Sequence, residues 1–314
     1  MNKTAFVFPG QGAQYVGMGK EIVRNFKIAK TVFEEASDSL DLNMETLCFE
    51  GPDEELLKTK NTQPAILTTS IAILRVLEEM GIECQMTAGL SLGEYGSHVK
   101  SKVIDFADAV RLVKNRGEYM QEAVPLGVGT MAAILGLGRQ DLEKCLKDCS
   151  QYGVVEAANY NSPGQIVISG EKDAVKKTVE LALELGAKKA VLLPVSAPFH
   201  CSLLRPAGEK LKGDLESLKL NSPQIPIVTN AEAKILNCKS RVIDSLVNQV
   251  SKSVLWQDSV ELMIENGIEN FIEIGPGKTL AAFIKRIAKN LDKNGINVYS
   301  IENMAGLKAL SINQ

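Results

Sequence analysis

The apolar stretch Met86–Leu90 runs into a Gly-x-Ser-x-Gly turn, Gly89 to Gly93, and from there into a segment suited to a helix. A strand that turns sharply into a helix belongs to sheets with helices packed on their faces, so this short stretch already points to an α/β protein. The glycines two positions either side of Ser91 let the backbone crowd. The turn then pushes the serine hydroxyl into the open and aims the following N–H groups at a developing oxyanion. With 25 glycines in 314 residues, such a pentapeptide arises by chance on the order of 0.1 times per chain. Its surroundings have to carry the reading.

Those surroundings alternate strand-like and helix-like segments. Ala5–Phe8 leads into Pro9-Gly10-Gln11-Gly12-Ala13-Gln14, a long helical stretch follows around Thr62–Met80, and the Ser91 turn is succeeded by a helix from Asp105 to about Ala123. Such alternation predicts a mostly parallel sheet covered by helices. Near Pro125 the order changes to strand Gly129–Leu135, helix Arg139–Ser150, strands Val154–Ala158 and Gln165–Ser169, helix Asp173–Leu185 and strand Lys189–Val195. This β-α-β-β-α-β succession is ferredoxin-like. The expected organisation is a large α/β-hydrolase-like subdomain, residues 1–124 and 197–314, with an inserted ferredoxin-like subdomain, residues 125–196. In the returning part the pattern predicts helix Cys201–Leu218, strand Ile227–Asn230, strand Asn270–Ile274 and a helix opened by Gly275-Pro276-Gly277.

Composition narrows the function classes. Hydrophobic residues at 45%, charged residues at 23% and a net charge of −3 describe a globular chain without an overall basic footprint, which argues against a nucleic-acid partner. No apolar run reaches membrane-spanning length and nothing at the start resembles a targeting segment, so no membrane partner and a cytoplasmic location are expected. Six cysteines at positions 48, 84, 145, 149, 201 and 238 show neither metal-ligand pairing nor dense disulfide spacing, and read as reduced thiols. Cys145 and Cys149 could share a helix face, but no histidine lies near them to complete a metal site. A monomer is the working expectation.

A serine hydroxyl needs a base to take its proton, and histidine is the usual choice near neutral pH. The chain has two. His98 falls on the helix that follows Ser91, about 10 Å further along its axis, too far to share a proton. His200 lies in the loop Val195-Ser196-Ala197-Pro198-Phe199-His200, where a base delivered from elsewhere in the chain would sit. On the helix from Asp105, Phe106, Ala109, Val110, Val113 and Met120 form the apolar face and Arg116 projects near its centre. An isolated buried charge is costly, so an internal carboxylate or a substrate anion must meet Arg116. The residues alone leave both open, the internal pair being the commoner outcome. The Gly10–Gln14 loop lacks the spacing of a dinucleotide or phosphate loop and fits an oxyanion-hole loop at an early strand end better.

Together these segments resemble the malonyl-CoA:acyl-carrier-protein transacylases, and the likeness covers nearly the whole chain. Phe8–Gln14 is similar to the family's opening motif, Asn61-Thr62-Gln63-Pro64-Ala65 to its second and Gly89–Tyr95 to its nucleophile motif. Ala158–Gln165 is similar to its subdomain hairpin, Ser196–His200 to its base motif and Glu273–Gly277 to its closing turn. The resemblance implies Ser91 as the acylated nucleophile, His200 as its base, and the N–H groups of Gln11 and Leu92 as the oxyanion hole. It implies Arg116 as the holder of the malonyl carboxylate, with Gln63, Asn161 and Phe199 also toward substrate. Gln249 matches the position whose backbone carbonyl orients the histidine, so no triad aspartate is needed. One departure is Leu90, where the family commonly has histidine; a leucine cannot donate a hydrogen bond to an acyl group.

The implied activity is transfer of malonyl from a coenzyme A thioester to the phosphopantetheine thiol of acyl carrier protein, for fatty acid synthesis. A free-standing acyltransferase serving a polyketide pathway shares that chemistry. A serine esterase or thioesterase would use the same elbow with water as acceptor, and would normally set a carboxylate behind its histidine.

Overall fold

The computed structural model describes residues 3–195 and 197–312; Ser196, at the start of the base motif, lies outside the described residues. Ten strands occur among them: β1 (Lys3–Phe8), β2 (Met86–Gly89), β3 (Gly129–Leu135), β4 (Val155–Ser162), β5 (Gln165–Glu171), β6 (Lys189–Leu192), β7 (Ile227–Val228), β8 (Ile235–Leu236), β9 (Ile268–Ile274) and β10 (Asn297–Ile301). They form two sheets. The larger has the order β10-β9-β1-β2-β7-β8, parallel throughout except for the antiparallel β7–β8 pair.

The central strand β1 shows why. Ala5, Phe6, Val7 and Phe8 are all buried, as expected where helices cover both faces of a parallel sheet. The period of two splits them between two cores. Phe6 and Phe8 join the cluster containing Ile71 and Tyr95, whereas Ala5 and Val7 join that of Trp256, Phe271 and Ile284. β1 pairs with β2 in the register Phe8↔Gly89, so the Gly10–Gln14 loop and the Ser91 turn leave the carboxyl ends of adjacent strands. That edge is where open α/β sheets bind ligands.

The smaller sheet, order β4-β5-β3-β6, is antiparallel throughout, with the β-α-β-β-α-β succession of the ferredoxin-like arrangement. Helices Arg139–Cys149 and Lys172–Glu184 cover one face through Leu142, Cys145, Ala174 and Ala182 against Ala132, Ile134 and Ile168. Met131 and Val167 turn the other way, toward the Ser91 cavity.

Several boundaries differ from the sequence pattern for local reasons. β6 stops at Leu192, three residues early, because Pro194 has no N–H to give a ladder and the Val195 N–H turns back to the Leu193 carbonyl. The strand expected over Ile227–Asn230 ends at Val228: the Thr229 N–H goes to the Lys234 carbonyl and the Asn230 N–H to Glu94. The helix expected over Cys201–Leu218 is a short 3-10 turn, Ser202–Leu204, followed by helix Arg205–Ser217, with Pro206 in its first turn. Asp105 occupies the N-cap position of helix Phe106–Glu122, but its side chain makes no capping bond. Among the described residues no helix is long and apolar enough to cross a membrane.

Candidate active site

The elbow after β2 is strained and well braced. Ser91 has φ +54°, a left-handed conformation that costs a residue with a Cβ on the order of 1–3 kcal/mol unless its surroundings impose it. Three hydrogen bonds do so. The Ser91 N–H donates to Asn230 Oδ1 at 2.6 Å, the Asn230 amide donates to the Gly89 carbonyl at 2.7 Å, and Gln249 Nε2 donates to the Ser91 carbonyl at 2.8 Å. A Cβ at Gly89 would strike the Gly93 backbone, and one at Gly93 the Phe8 carbonyl. Both glycines are therefore required by close approach.

His200, also at positive φ (+60°), places Nε2 2.6 Å from Ser91 Oγ. Its Nδ1 lies 2.9 Å from the Gln249 carbonyl. A carbonyl only accepts, so the proton sits on Nδ1 and the Nε2 lone pair faces the serine. Burial first, and the Arg116 cation second, push the imidazole down to about 3, so it stands neutral and ready as a base at ordinary pH. His98 is buried in helix Gly93–Lys100, with Nε2 3.9 Å from Glu94. It takes no part in the Ser91 contact.

Arg116 is 1% exposed. Helix Phe106–Glu122 packs closely on helix Thr59–Glu79 because Gly117 faces the Thr59 carbonyl and the Lys60 backbone. This brings Gln63 within reach. Nη1 donates to Gln63 Oε1 at 2.8 Å, while Nη2 donates to Gln249 Oε1 at 2.8 Å and to Ser91 Oγ at 3.2 Å. The guanidinium also lies over the Tyr95 ring, 5.5 Å from its centroid. Every one of these partners is neutral. Among the described residues no carboxylate forms an ion pair with Arg116, so the internal pair favoured from residue statistics is not what the fold provides.

Ser91, His200, Arg116, Gln11, Leu92 and Gln63 line one cavity of about 480 Å³, together with Asn161, Phe199 and Leu90. Gln249 stands behind it, fully buried. Among the described residues the N–H groups of Gln11 and Leu92 meet no protein acceptor, whereas that of Ser91 is taken by Asn230. Two free donors beside the serine are what a tetrahedral oxyanion requires. A larger cavity of about 610 Å³, lined by Arg139, Glu156 and Arg205 among others, contains none of these residues.

Sequence reading missed Asn230, Glu94 as more than part of a motif, and the side chain of Gln249. Asn230 had one available signal, its place just beyond the carboxyl end of a strand of the parallel sheet.

Comparisons with known proteins place the chain among acyl transferases. The acyl transferase domain family model matches residues 5–305. The chain is 45% identical to the malonyl CoA-acyl carrier protein transacylase of Bacillus subtilis over 292 residues, 93% of this chain and 92% of that one. The crystal structure of the malonyl CoA-acyl carrier protein transacylase from Clostridium perfringens superposes with a TM-score of 0.95 at 46% identity, covering 99% of this chain and 96% of that one. A malonyl-transacylase solved in complex with a type II polyketide synthase acyl-carrier protein also gives 0.95, at 41% identity over 99% of this chain and 100% of that one.

Proposed function

The chain belongs to the acyl transferase domain family, and we infer that it moves malonyl from malonyl-CoA to the phosphopantetheine thiol of an acyl carrier protein through a malonyl-serine intermediate. The names of its close relatives support that substrate pair. The observation that carries the reading is the buried Arg116 guanidinium, paired with no carboxylate among the described residues, 3.2 Å from a serine hydroxyl already paired with a neutral imidazole.

In the first half-reaction His200 Nε2 takes the Ser91 proton as Oγ attacks the thioester carbonyl. The carbonyl oxygen, now negative, receives the N–H groups of Gln11 and Leu92; losing one such donor costs roughly a hundred- to a thousandfold in comparable enzymes. Collapse breaks the C–S bond, and His200 returns the proton to the departing coenzyme A thiolate. In the second half His200 deprotonates the phosphopantetheine thiol, the sulfur attacks malonyl-Ser91, and collapse restores the serine with its proton. The exchange is ping-pong. Each proton passes through one imidazole, so the reading calls for no cofactor.

Arg116 selects the acyl group. Its planar fork makes two parallel bonds to the free carboxylate of malonyl, which acetyl and longer saturated chains lack. Gln63, Asn161 and Phe199 shape the remaining wall. A carbonyl rather than a carboxylate behind His200, and a cation beside the serine, favour transfer of a charged acyl group over ester hydrolysis. We place the enzyme in the cytoplasm, supplying fatty acid synthesis.

Intact-mass spectrometry tests the reading. Malonyl-CoA should leave one malonyl adduct on the protein, lost when holo carrier protein is added and recovered on the carrier. An adduct discharged to water as fast as to the carrier would make the protein a hydrolase. Arg116→Ala should lose most malonyl transfer while keeping some transfer of neutral acetyl, and undiminished malonyl transfer in that variant would remove Arg116 from its role.

A further inference from the structure

Glu94 is fully buried in the first turn of helix Gly93–Lys100, and the cycle above does not use it. Its Oε2 accepts from Gln249 Nε2 at 2.9 Å and from the Asn230 N–H at 3.1 Å. Its Oε1 faces His98 Nε2 at 3.9 Å, beyond hydrogen-bond range. The Gln249 side chain therefore sits between a carboxylate on one side and a guanidinium on the other.

That placement allows only one orientation of the Gln249 amide. A carboxylate and the Ser91 carbonyl only accept, and a guanidinium only donates. Both protons on Nε2 are thus spent, one on Glu94 and one on the Ser91 carbonyl, and Oε1 is left for Arg116 Nη2 at 2.8 Å. Turning the amide over would set oxygen against the carboxylate and the carbonyl, and NH₂ against the guanidinium, losing all three bonds together.

We propose that Glu94 is a positioning residue that sets acyl selectivity: as an acceptor it locks the Gln249 amide, and the locked amide holds Arg116 toward the acyl group on Ser91. Using a relay instead of a direct ion pair has a chemical consequence. A carboxylate bonded to Arg116 would occupy the fork that a substrate carboxylate needs, whereas an amide oxygen takes one donor and leaves the positive charge uncancelled. Burial pushes the Arg116 guanidinium down from its ordinary value, and the proximity of Tyr95 and Glu94 partly offsets this. The inference rests on Arg116 being the holder of the malonyl carboxylate.

The test compares kcat and KM for malonyl-CoA and acetyl-CoA, with holo carrier protein as acceptor, in Glu94→Met, Gln249→Met and Glu94→Gln. Methionine keeps the length and removes the hydrogen bonds, and Gln249→Met retains the backbone carbonyl that faces His200. Both methionine variants should lower the malonyl-to-acetyl ratio of kcat/KM roughly ten- to a hundredfold, the size expected for a hydrogen bond to a charged group, with most of the change in the malonyl-CoA KM. Glu94→Gln can keep an oxygen in the place of Oε2, and should hold the ratio within about threefold of the parent, a change no larger than an ordinary neutral hydrogen bond.

A merely structural glutamate would lower both substrates alike and leave the ratio in place, which would overturn the proposal. A fall in Glu94→Gln as deep as in Glu94→Met would overturn it too. Where Glu94→Met does not fold, an unchanged ratio in Gln249→Met decides against the relay. Arg116→Ala separates the two levels. Malonyl preference surviving there defeats the assignment of Arg116 itself, whereas preference lost there but kept in Glu94→Met defeats only the relay.

Discussion

Asn230, two residues beyond the neighbouring strand β7, clamps Ser91: its side-chain oxygen takes the Ser91 N–H at 2.6 Å while its amide donates to the Gly89 carbonyl at 2.7 Å. The chain entering the left-handed serine is thereby held at two points by one residue, and Gln249 holds the Ser91 carbonyl on the far side. The clamp also takes the Ser91 N–H out of use for an oxyanion, whereas among the described residues those of Gln11 and Leu92 meet no protein acceptor.

Asn230→Ala should therefore harm the elbow twice. Two buried backbone groups lose their partner, at a cost of about 1–3 kcal/mol each, and the φ of Ser91 relaxes toward values that turn Oγ away from His200. The expected outcome is a lower melting temperature together with slower formation of acyl-Ser91 from malonyl-CoA in a rapid-quench experiment. A variant that melts lower yet acylates at the parent rate would show that the turn holds its shape without the clamp.

How much of this was legible in the sequence depends on how local each cause is. Ala5–Phe8 reads as a strand because four successive apolar residues are followed at once by a Gly-rich exit. Arg116 could be placed in the core because a 3.6-residue period puts it among Phe106, Ala109, Val113 and Met120. His200 emerged because the chain has only two histidines and the other lies a turn and more along the wrong helix. Glu94 was illegible for the opposite reason. An acid in the first turn of a helix is ordinarily a solvated group favoured by the helix dipole, and its burial here is set by Asn230 and Gln249, 136 and 155 residues away. Strand β8 was equally hidden, since its two residues are too few for a period to register; β7 was read, but two residues longer than it is. Between the first loop and Thr59 the three helices Lys20–Asn25, Met44–Phe49 and Asp53–Leu56 have six residues or fewer, again too short to announce themselves.

The protonation of His200 gives a second prediction. Its imidazole is lowered to about 3, by burial first and by Arg116 second. The active form is the neutral base, so a lowered value keeps it active at lower pH. The acid limb of kcat/KM for acylation should lie far below that of an ordinary histidine. Arg116→Ala removes the second cause and should move the limb upward without returning it to 6.5, since burial remains. Acetyl-CoA is the substrate to use, because its acyl group makes no ion pair with Arg116. A parent limb near 6.5 would mean that the site is open enough to hydrate the imidazolium. The same shift bears on stability. Between about 6.5 and 3 the unfolded chain binds a proton that the folded one does not, so this group's contribution falls as pH drops through that window.

Phe199 lies beside the base and lines the cavity with Arg116 and Ser91, where the carbon between the two carbonyl groups of a malonyl ester would be held. A methyl branch on that carbon needs room that the ring fills. Phe199→Ala should therefore raise the methylmalonyl-to-malonyl ratio of kcat/KM by about tenfold, the low end of what one methylene in a pocket is worth. The truncation should cost roughly 3 kcal/mol or less, below the range for an enclosed phenylalanine, because one face of the ring already borders open space. Competition between the two thioesters for one pool of holo carrier protein, read by the mass of the acylated carrier, measures the ratio directly. A ratio that does not move would place the restriction on branching in another wall of the cavity, with Leu90 and Gln63 the next side chains to truncate.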